Sequence, residues 1–239
     1  MPKTKVEKHF DKVAKDYDFY KNKNSFYYDN LKKLLKSLIP ANKNVFEFGC
    51  GTGDLLALLK PKVGYGFDIS GGMISIAKVK YKKAKNLTFS AVFPSTINNQ
   101  QSTIDYIFTS KDGKCEYIFM SDVIEHLENP EKEFRRLSKL MNNKSKLIIT
   151  MANPFWEPFL MLAEKLKLKM PEGPHNRITN YELRIMIEKA GMKIVKHDYA
   201  LLVPVKIPVI TNFANKYLEK YFRRLAFIEY FVIKTNDEL

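Results

Sequence analysis

The sequence predicts a doubly wound α/β domain: a mostly parallel, seven-stranded sheet with helices on both faces. Three observations carry this. Apolar runs of strand length alternate with helical stretches along most of the chain. Three glycines, Gly49, Gly51 and Gly53, fall within "EFGCGTG", directly after the first such run. An acid, Asp68, closes the second run.

Each element has its own signal. "NVFEFG" is a short buried strand. "DLLALLK" opens a helix that Pro61 ends. "VGYGFDI" is the second strand, and "GGMISIAKVKYKKA" a helix with Met73, Ile76 and Ala77 on one side. "NLTFSAV" and "EYIFMSD" are the third and fourth strands. "NPEKEFRRLSKLM" is a helix with Pro130 in its first turn, and "SKLIITMAN" is the fifth strand. "NYELRIMIEKAG" is a helix, expected to be capped by Asn180 and stopped by Gly191. "MKIVKHDY" and "FIEYFVIK" are the late strands. Residues 93–114 are polar and turn-rich, with one short strand at "IDYIF". Residues 200–225 separate the last two strands, with Pro204 and Pro208 followed by an amphipathic helix. There is no internal repeat and no linker, so residues 1–239 read as one domain.

Composition sets the outer bounds. At 45% hydrophobic and 13% aromatic residues, the chain has the material for a full core. Its two cysteines, Cys50 and Cys115, are too few for a disulfide framework and point to a reducing cytoplasm. No basic-then-apolar leader opens the chain, and no run of about 18 apolar residues occurs. The net charge of +14 raises the question of nucleic acid. The lysines are spread along the chain, as at Lys3, Lys8, Lys15, Lys78, Lys82 and Lys85, without an aromatic RNA-reading signature. They read as solvated surface, and RNA stays the runner-up partner.

The glycine turn carries the chemistry. In a doubly wound sheet, ligands bind at the carboxyl ends of the strands. A glycine-rich turn there lets a ligand approach the backbone, and the next helix offers free N–H groups. A dinucleotide fold wants G-x-G-x-x-G, but Asp54 stands where the third glycine would fall. Asp68 at the second strand tip can accept both hydroxyls of an adenosine ribose.

Together "EFGCGTG", "GFDIS" and "CEYIFMSDVIEHLENP" resemble the class I S-adenosylmethionine-dependent methyltransferases. "HFDKVAKDYDFY" is similar to the helix that many members lay over the cofactor, and "GPHNRITNYELRIMIEKAGMKIV" to the substrate-side segment of small-molecule members. The resemblance spans residues 9–199. It implies a Rossmann-like sheet with an antiparallel last strand, lid helices over residues 1–40, and S-adenosylmethionine as cofactor. It implies that Gly49 and Gly51 bring backbone against the cofactor's methionine part, that Cys50 and Gly53 belong to the same cofactor-binding turn, and that Glu47 orients the loop and the ammonium. Asp68 would hold the ribose diol, and Ile69 and Met73 would border the adenine. Met120, Ser121 and Asp122 would line the methyl-transfer pocket. Members also place an Asp or Asn after strand three for the adenine amino group. Here Asn98, Asn99 and Asp105 are the alternatives.

A hydroxyl acceptor needs its proton removed, which suits a histidine or carboxylate. His9 and His197 read as structural or solvated. His126, in "SDVIEHL", either transfers a proton or stabilises its loop. His175 and Arg177, in "EGPHNRI", sit where small-molecule members face the substrate, as a base and an anion clamp. Tyr17 and Tyr20 either close the lid or are solvated. Asp122, Glu125 and His126 also resemble the E-x-x-E-H cluster of ubiquinone-biosynthesis O-methyltransferases, which can hold a divalent metal. The shorter Asp122 weakens that match, and no metal is expected. The acceptor expected is a small or lipid-linked molecule, taken at O or N. The alternative to an enzyme is a cofactor-binding accessory protein. Residues 212–225 read either as a core or dimer helix or as an interfacial helix that touches membrane, and the protein as a monomer or homodimer.

Overall fold

The computed structural model describes residues 3–93, 115–166, 173, 174, 176 and 178–236. The strand expected at "IDYIF" and the residues Asn98, Asn99, Asp105, His175 and Arg177 lie outside the described residues.

Seven strands form one sheet: β1 (Asn44–Phe48), β2 (Val63–Phe67), β3 (Leu87–Ser90), β4 (Tyr117–Ser121), β5 (Lys146–Ala152), β6 (Met192–Ala200) and β7 (Ile228–Thr235). Their order is β3-β2-β1-β4-β5-β7-β6. The first five are parallel, and β7 is antiparallel to both β5 and β6. β1 lies near the middle with all five residues buried, its polar members Asn44 and Glu47 included. The order reverses between β1 and β4, so a crevice opens at their carboxyl ends.

Among the described residues the helices are α1 (Lys5–Val13), α2 (Tyr17–Lys23), α3 (Ser25–Leu38), α4 (Asp54–Leu58), α5 (Gly71–Lys80), α6 (Pro130–Ser138), α7 (Glu157–Lys165), α8 (Asn180–Lys189) and the single turn α9 (Ile210–Phe213). Leu31 and Leu35 of α3, Leu55 and Leu56 of α4 and Ile74 and Ala77 of α5 fill one face of the sheet. Phe134 and Leu137 of α6 and Leu183 and Ile187 of α8 fill the other. Apart from the adjacent Leu55 and Leu56, each of these pairs shows the three- or four-residue spacing of a buried helix face.

Two expectations are corrected. The cap of α8 is Thr179, not Asn180. The Thr179 side chain accepts from Glu182 N while the Glu182 carboxylate accepts from Thr179 N, a complete capping box. Residues 210–225 are not one amphipathic helix. They break into α9, a π-turn at Ala214–Leu218 and a 3-10 turn at Arg223–Leu225. Asn215 and Glu219 turn inward there. Val203 N donates to Asn215 Oδ1 at 2.7 Å, and Leu201 N donates to Glu219 Oε2 at 3.1 Å. These bonds hold the backbone of residues 201–203 without a regular helix or strand.

Asp54 opens α4 and ties three elements together. It accepts from Lys21 of α2 at 2.9 Å, Lys80 of α5 at 2.6 Å and the Tyr81 hydroxyl at 2.7 Å. Burial pushes its carboxyl up, but the Lys21 charge and the hydrogen bonds from Lys80, Lys21 and Tyr81 outweigh it and hold it at about 2. The unfolded carboxyl titrates near 3.8, so the group stabilises the fold above about pH 4 and loses that contribution as pH falls toward 2. Asp54→Asn is therefore expected to lower the unfolding free energy by about 1–3 kcal/mol at pH 7. Urea denaturation should show that deficit shrinking in acid as the wild type loses the same interaction.

Candidate active site

After β1 the chain turns through Gly49–Gly53 into α4. Gly49 and Gly51 have φ of +77° and +50°, left-handed values that side chains resist. Bareness at Gly49 serves the protein itself, because Val123 stands where a Cβ would go. A Cβ on Gly51 would lie 3.1 Å from the Tyr17 ring, and both residues line the crevice. Gly49 N and Cys50 N both donate to Phe67 O, at 2.7 and 2.9 Å, so the turn is tied to the tip of β2.

Asp68 follows that tip. Its two oxygens accept from Gly51 N at 2.8 Å and Ser70 N at 2.9 Å. Burial pushes its carboxyl up to about 6, against the pull of those two amides. Glu47 is buried behind the turn and accepts from Leu56 N at 3.1 Å, which satisfies an open amide at the start of α4.

The N-terminal helices cover the turn. Asp11 of α1 accepts from Ser70 Oγ at 2.6 Å and Gly72 N at 3.0 Å. Thr52 Oγ1 donates to Asp18 of α2 at 2.6 Å. Lys21 lies over the Tyr17 and Tyr28 rings, 5.3 and 5.5 Å from their centroids. Three polar latches and an aromatic pair therefore close one side of the crevice.

The cavity there measures about 260 Å³, close to the lower end of the roughly 300–1,000 Å³ of small-molecule pockets. Its wall brings together Tyr17, Gly49, Gly51, Asp68, Ile69, Met73, Ser121, Asp122 and His126 among the residues expected from sequence. Glu47, Cys50, Gly53 and Met120 are buried behind that wall. Tyr20 is not part of it and packs on Phe19, with ring centroids 5.7 Å apart. Phe10, within the "HFDKVAKDYDFY" stretch, also lines it, and so do Lys132 and Arg136, which no motif announces.

At the tip of β4 the backbone turns sharply. Asp122 has φ +54°, a strained value for a residue with a side chain, and such strain concentrates at functional sites. Tyr27 of α3 donates its hydroxyl to Asp122 Oδ2 at 2.6 Å. Burial, then the Asp122 charge, pushes the Tyr27 phenol well up, so it stays protonated. Sequence reading missed Tyr27. Its only signal was the "FYYD" pair inside a lid helix. Next door, His126 Nδ1 lies 3.0 Å from Pro174 O. A carbonyl only accepts, so that nitrogen carries the proton. The His126 ring also packs edge-on against Phe10, 5.2 Å away. Among the described residues, no group of three His, Cys, Asp or Glu side chains is placed to hold a metal ion. His197 pairs with buried Glu229 at 2.6 Å, a contact between β6 and β7.

The model of a methyltransferase domain family matches residues 19–197. The chain belongs to the S-adenosylmethionine-dependent methyltransferases. It is 27% identical to an uncharacterised Methanocaldococcus jannaschii protein, over 78% of this chain and 82% of that one. It is 25% identical to a Coxiella burnetii ubiquinone biosynthesis O-methyltransferase, over 69% and 70%. Among solved structures, a Haloferax volcanii complex of a methyltransferase with a methyltransferase activator superposes with TM-score 0.69 at 16% identity, covering 98% and 99%. The N-methyltransferase NodS of Bradyrhizobium japonicum, bound to S-adenosylhomocysteine, superposes with TM-score 0.63 at 12% identity, covering 98% and 100%. The crevice of this methyltransferase fits the cofactor. It offers a buried carboxylate at Asp68, bare backbone at Gly51 and apolar walls at Ile69 and Met73. Ser121 Oγ is buried there and has no partner among the described residues.

Proposed function

We propose that this methyltransferase methylates an oxygen or nitrogen of a small or lipid-linked acceptor. The observation that carries this is the aromatic lining of the crevice at the strand tips, where Phe10, Tyr17, Phe48 and Phe67 stand. A flat, apolar acceptor suits such walls. Behind them Tyr27, hydrogen-bonded to Asp122, packs edge-on against Phe227 at 5.4 Å, and Phe227 against Trp156 at 5.7 Å. The likeness to a ubiquinone biosynthesis O-methyltransferase supports the same class.

S-adenosylmethionine supplies an electrophilic methyl group on a sulfonium. The chain's residues do the rest. Asp68 accepts the ribose hydroxyls, and the backbone at Gly49 and Gly51 lies against the methionine part. Glu47 holds the start of α4 beneath them. Ile69 and Met73 border the adenine. The latched helices α1 to α3 exclude water, which would favour loss of the sulfonium's positive charge as the methyl group leaves a neutral thioether, and they help to hold the acceptor in line. Asp122 and Tyr27 form one hydrogen-bonded unit that orients the acceptor. His175 removes the acceptor proton and Arg177 holds an anionic group on it. Pro174 and Asn176, on either side of His175, are bonded to the β4 tip loop: Pro174 O to His126, and Asn176 N to Glu125 O at 2.6 Å.

Incubation with a panel of catechols, quinols and amines, read by mass spectrometry, should give a gain of one methyl group on a hydroxyl or amine of an apolar member. Turnover of none of them, with RNA methylated instead, overturns the reading. Tyr27→Phe should lower kcat by about tenfold and change cofactor affinity by less than about threefold. Steady-state kinetics against cofactor titration separates the two effects.

A further inference from the structure

We propose that residues 155–166 and 205–225 form one docking surface for an anionic lipid bilayer. The proposal rests on the reading of a lipid-linked acceptor. Most of the exposed large apolar side chains among the described residues fall in these two segments. Phe159 and Leu162 are each 55% exposed, Tyr221 72% and Val209 82%. Soluble surfaces rarely gather so many apolar tips without a use for them.

The two segments are one surface. Asn153, at the end of β5, donates to Arg224 O at 2.8 Å and Ala226 O at 2.9 Å. Trp156 Nε1 donates to Leu225 O at 2.8 Å. The segments leave the sheet where β5 and β6 end and β7 begins, the same edge that carries Asp122. A run of packed rings, Tyr27, Phe227, Trp156 and Phe159, the last two 5.4 Å apart, connects Asp122 to this face. Docking there would hold the edge that carries Asp122 beside the membrane.

Charge selects the occupant. Lys165, Lys206, Lys216, Lys220, Arg223 and Arg224 stand among the apolar residues of the two segments, against three acids, Glu157, Glu164 and Glu219, which leaves a net positive face. Glu219 is turned inward onto Leu201 N and Leu202 N, and Arg223 pairs with Asp198 at 2.8 Å. Lys216 and Lys220 lie over the Tyr217 and Tyr221 rings, 5.1 and 4.7 Å from their centroids. Rings that bury their bodies while a cation stays at headgroup level suit a membrane interface. A two-fold dimer through this face would set its cations against their own copies. Anionic headgroups neutralise them. Among the described residues no helix is long and apolar enough to cross a membrane, so the contact is peripheral.

The test is sedimentation of the full chain with phosphatidylcholine vesicles, with and without about 30% phosphatidylglycerol. Cofactor titration and light scattering are run on the same preparations. The protein should bind the anionic vesicles, and binding should weaken about tenfold on going to high salt. Leu162→Glu with Tyr221→Glu should cut binding about tenfold and leave S-adenosylhomocysteine affinity unchanged. Three results overturn the proposal: no preference for anionic vesicles, a double variant that binds like wild type, or a dimer that the double variant splits. The docking surface and the function reading fail separately. Vesicle binding without any apolar acceptor turned over sinks only the latter.

Discussion

Asp68→Ala is expected to weaken S-adenosylhomocysteine binding by about 100-fold, or about 2.7 kcal/mol. The carboxylate is buried at the cavity wall, where charge-assisted hydrogen bonds to two ribose hydroxyls are at their strongest. It also holds Gly51 N and Ser70 N, so its loss loosens the turn that meets the cofactor. The pH dependence follows from the same burial. Asp68 titrates at about 6 in the fold against 3.8 when free. Because the folded value is the higher, this group alone makes the ligand-free fold less stable as pH rises from about 4 to about 6. Cofactor binding runs the opposite way. It needs the ionised carboxylate, so apparent affinity should fall toward about tenfold per pH unit below pH 6. Isothermal titration between pH 5 and 8 checks both slope and midpoint, and Asp68→Asn should abolish the pH dependence.

The second large effect concerns the proton. His175→Ala is expected to lower kcat by roughly 10²–10⁴-fold and to leave cofactor affinity nearly unchanged. The acidic limb of the pH–rate profile should disappear with it. A variant within about threefold of wild type would move the proton to His126, whose Nδ1 is already committed to Pro174 O, or show that positioning alone suffices. His126→Ala in the same assay separates these outcomes.

Local chemistry made most of the fold legible. β1, β2 and β4 are short apolar runs, and the turn after β1 needs glycine for its left-handed backbone, a demand that shows in any sequence. Asp68 is legible for the same reason, because it sits one residue past a strand. What was not legible depends on long-range contacts. Tyr27 acts through Asp122, 95 residues away, and nothing near either residue announces the pair. The apolar spacing of Phe213, Tyr217 and Tyr221 reads as a helix. The backbone instead follows Asn215 and Glu219 inward and leaves those rings exposed. At α8 two adjacent residues could cap, and Glu182, three past Thr179, decides between them.

The most direct measurement supplies methyl-labelled S-adenosylmethionine to a cell extract with the wild-type protein or with Gly51→Val, whose side chain would crowd Tyr17 at the crevice wall in a strained backbone. Label should pass into an organic-soluble or small-molecule fraction with the wild type and not with the variant. Label found only in RNA, or in no fraction although the wild type binds the cofactor, would contradict methyl transfer to a small or lipid-linked acceptor.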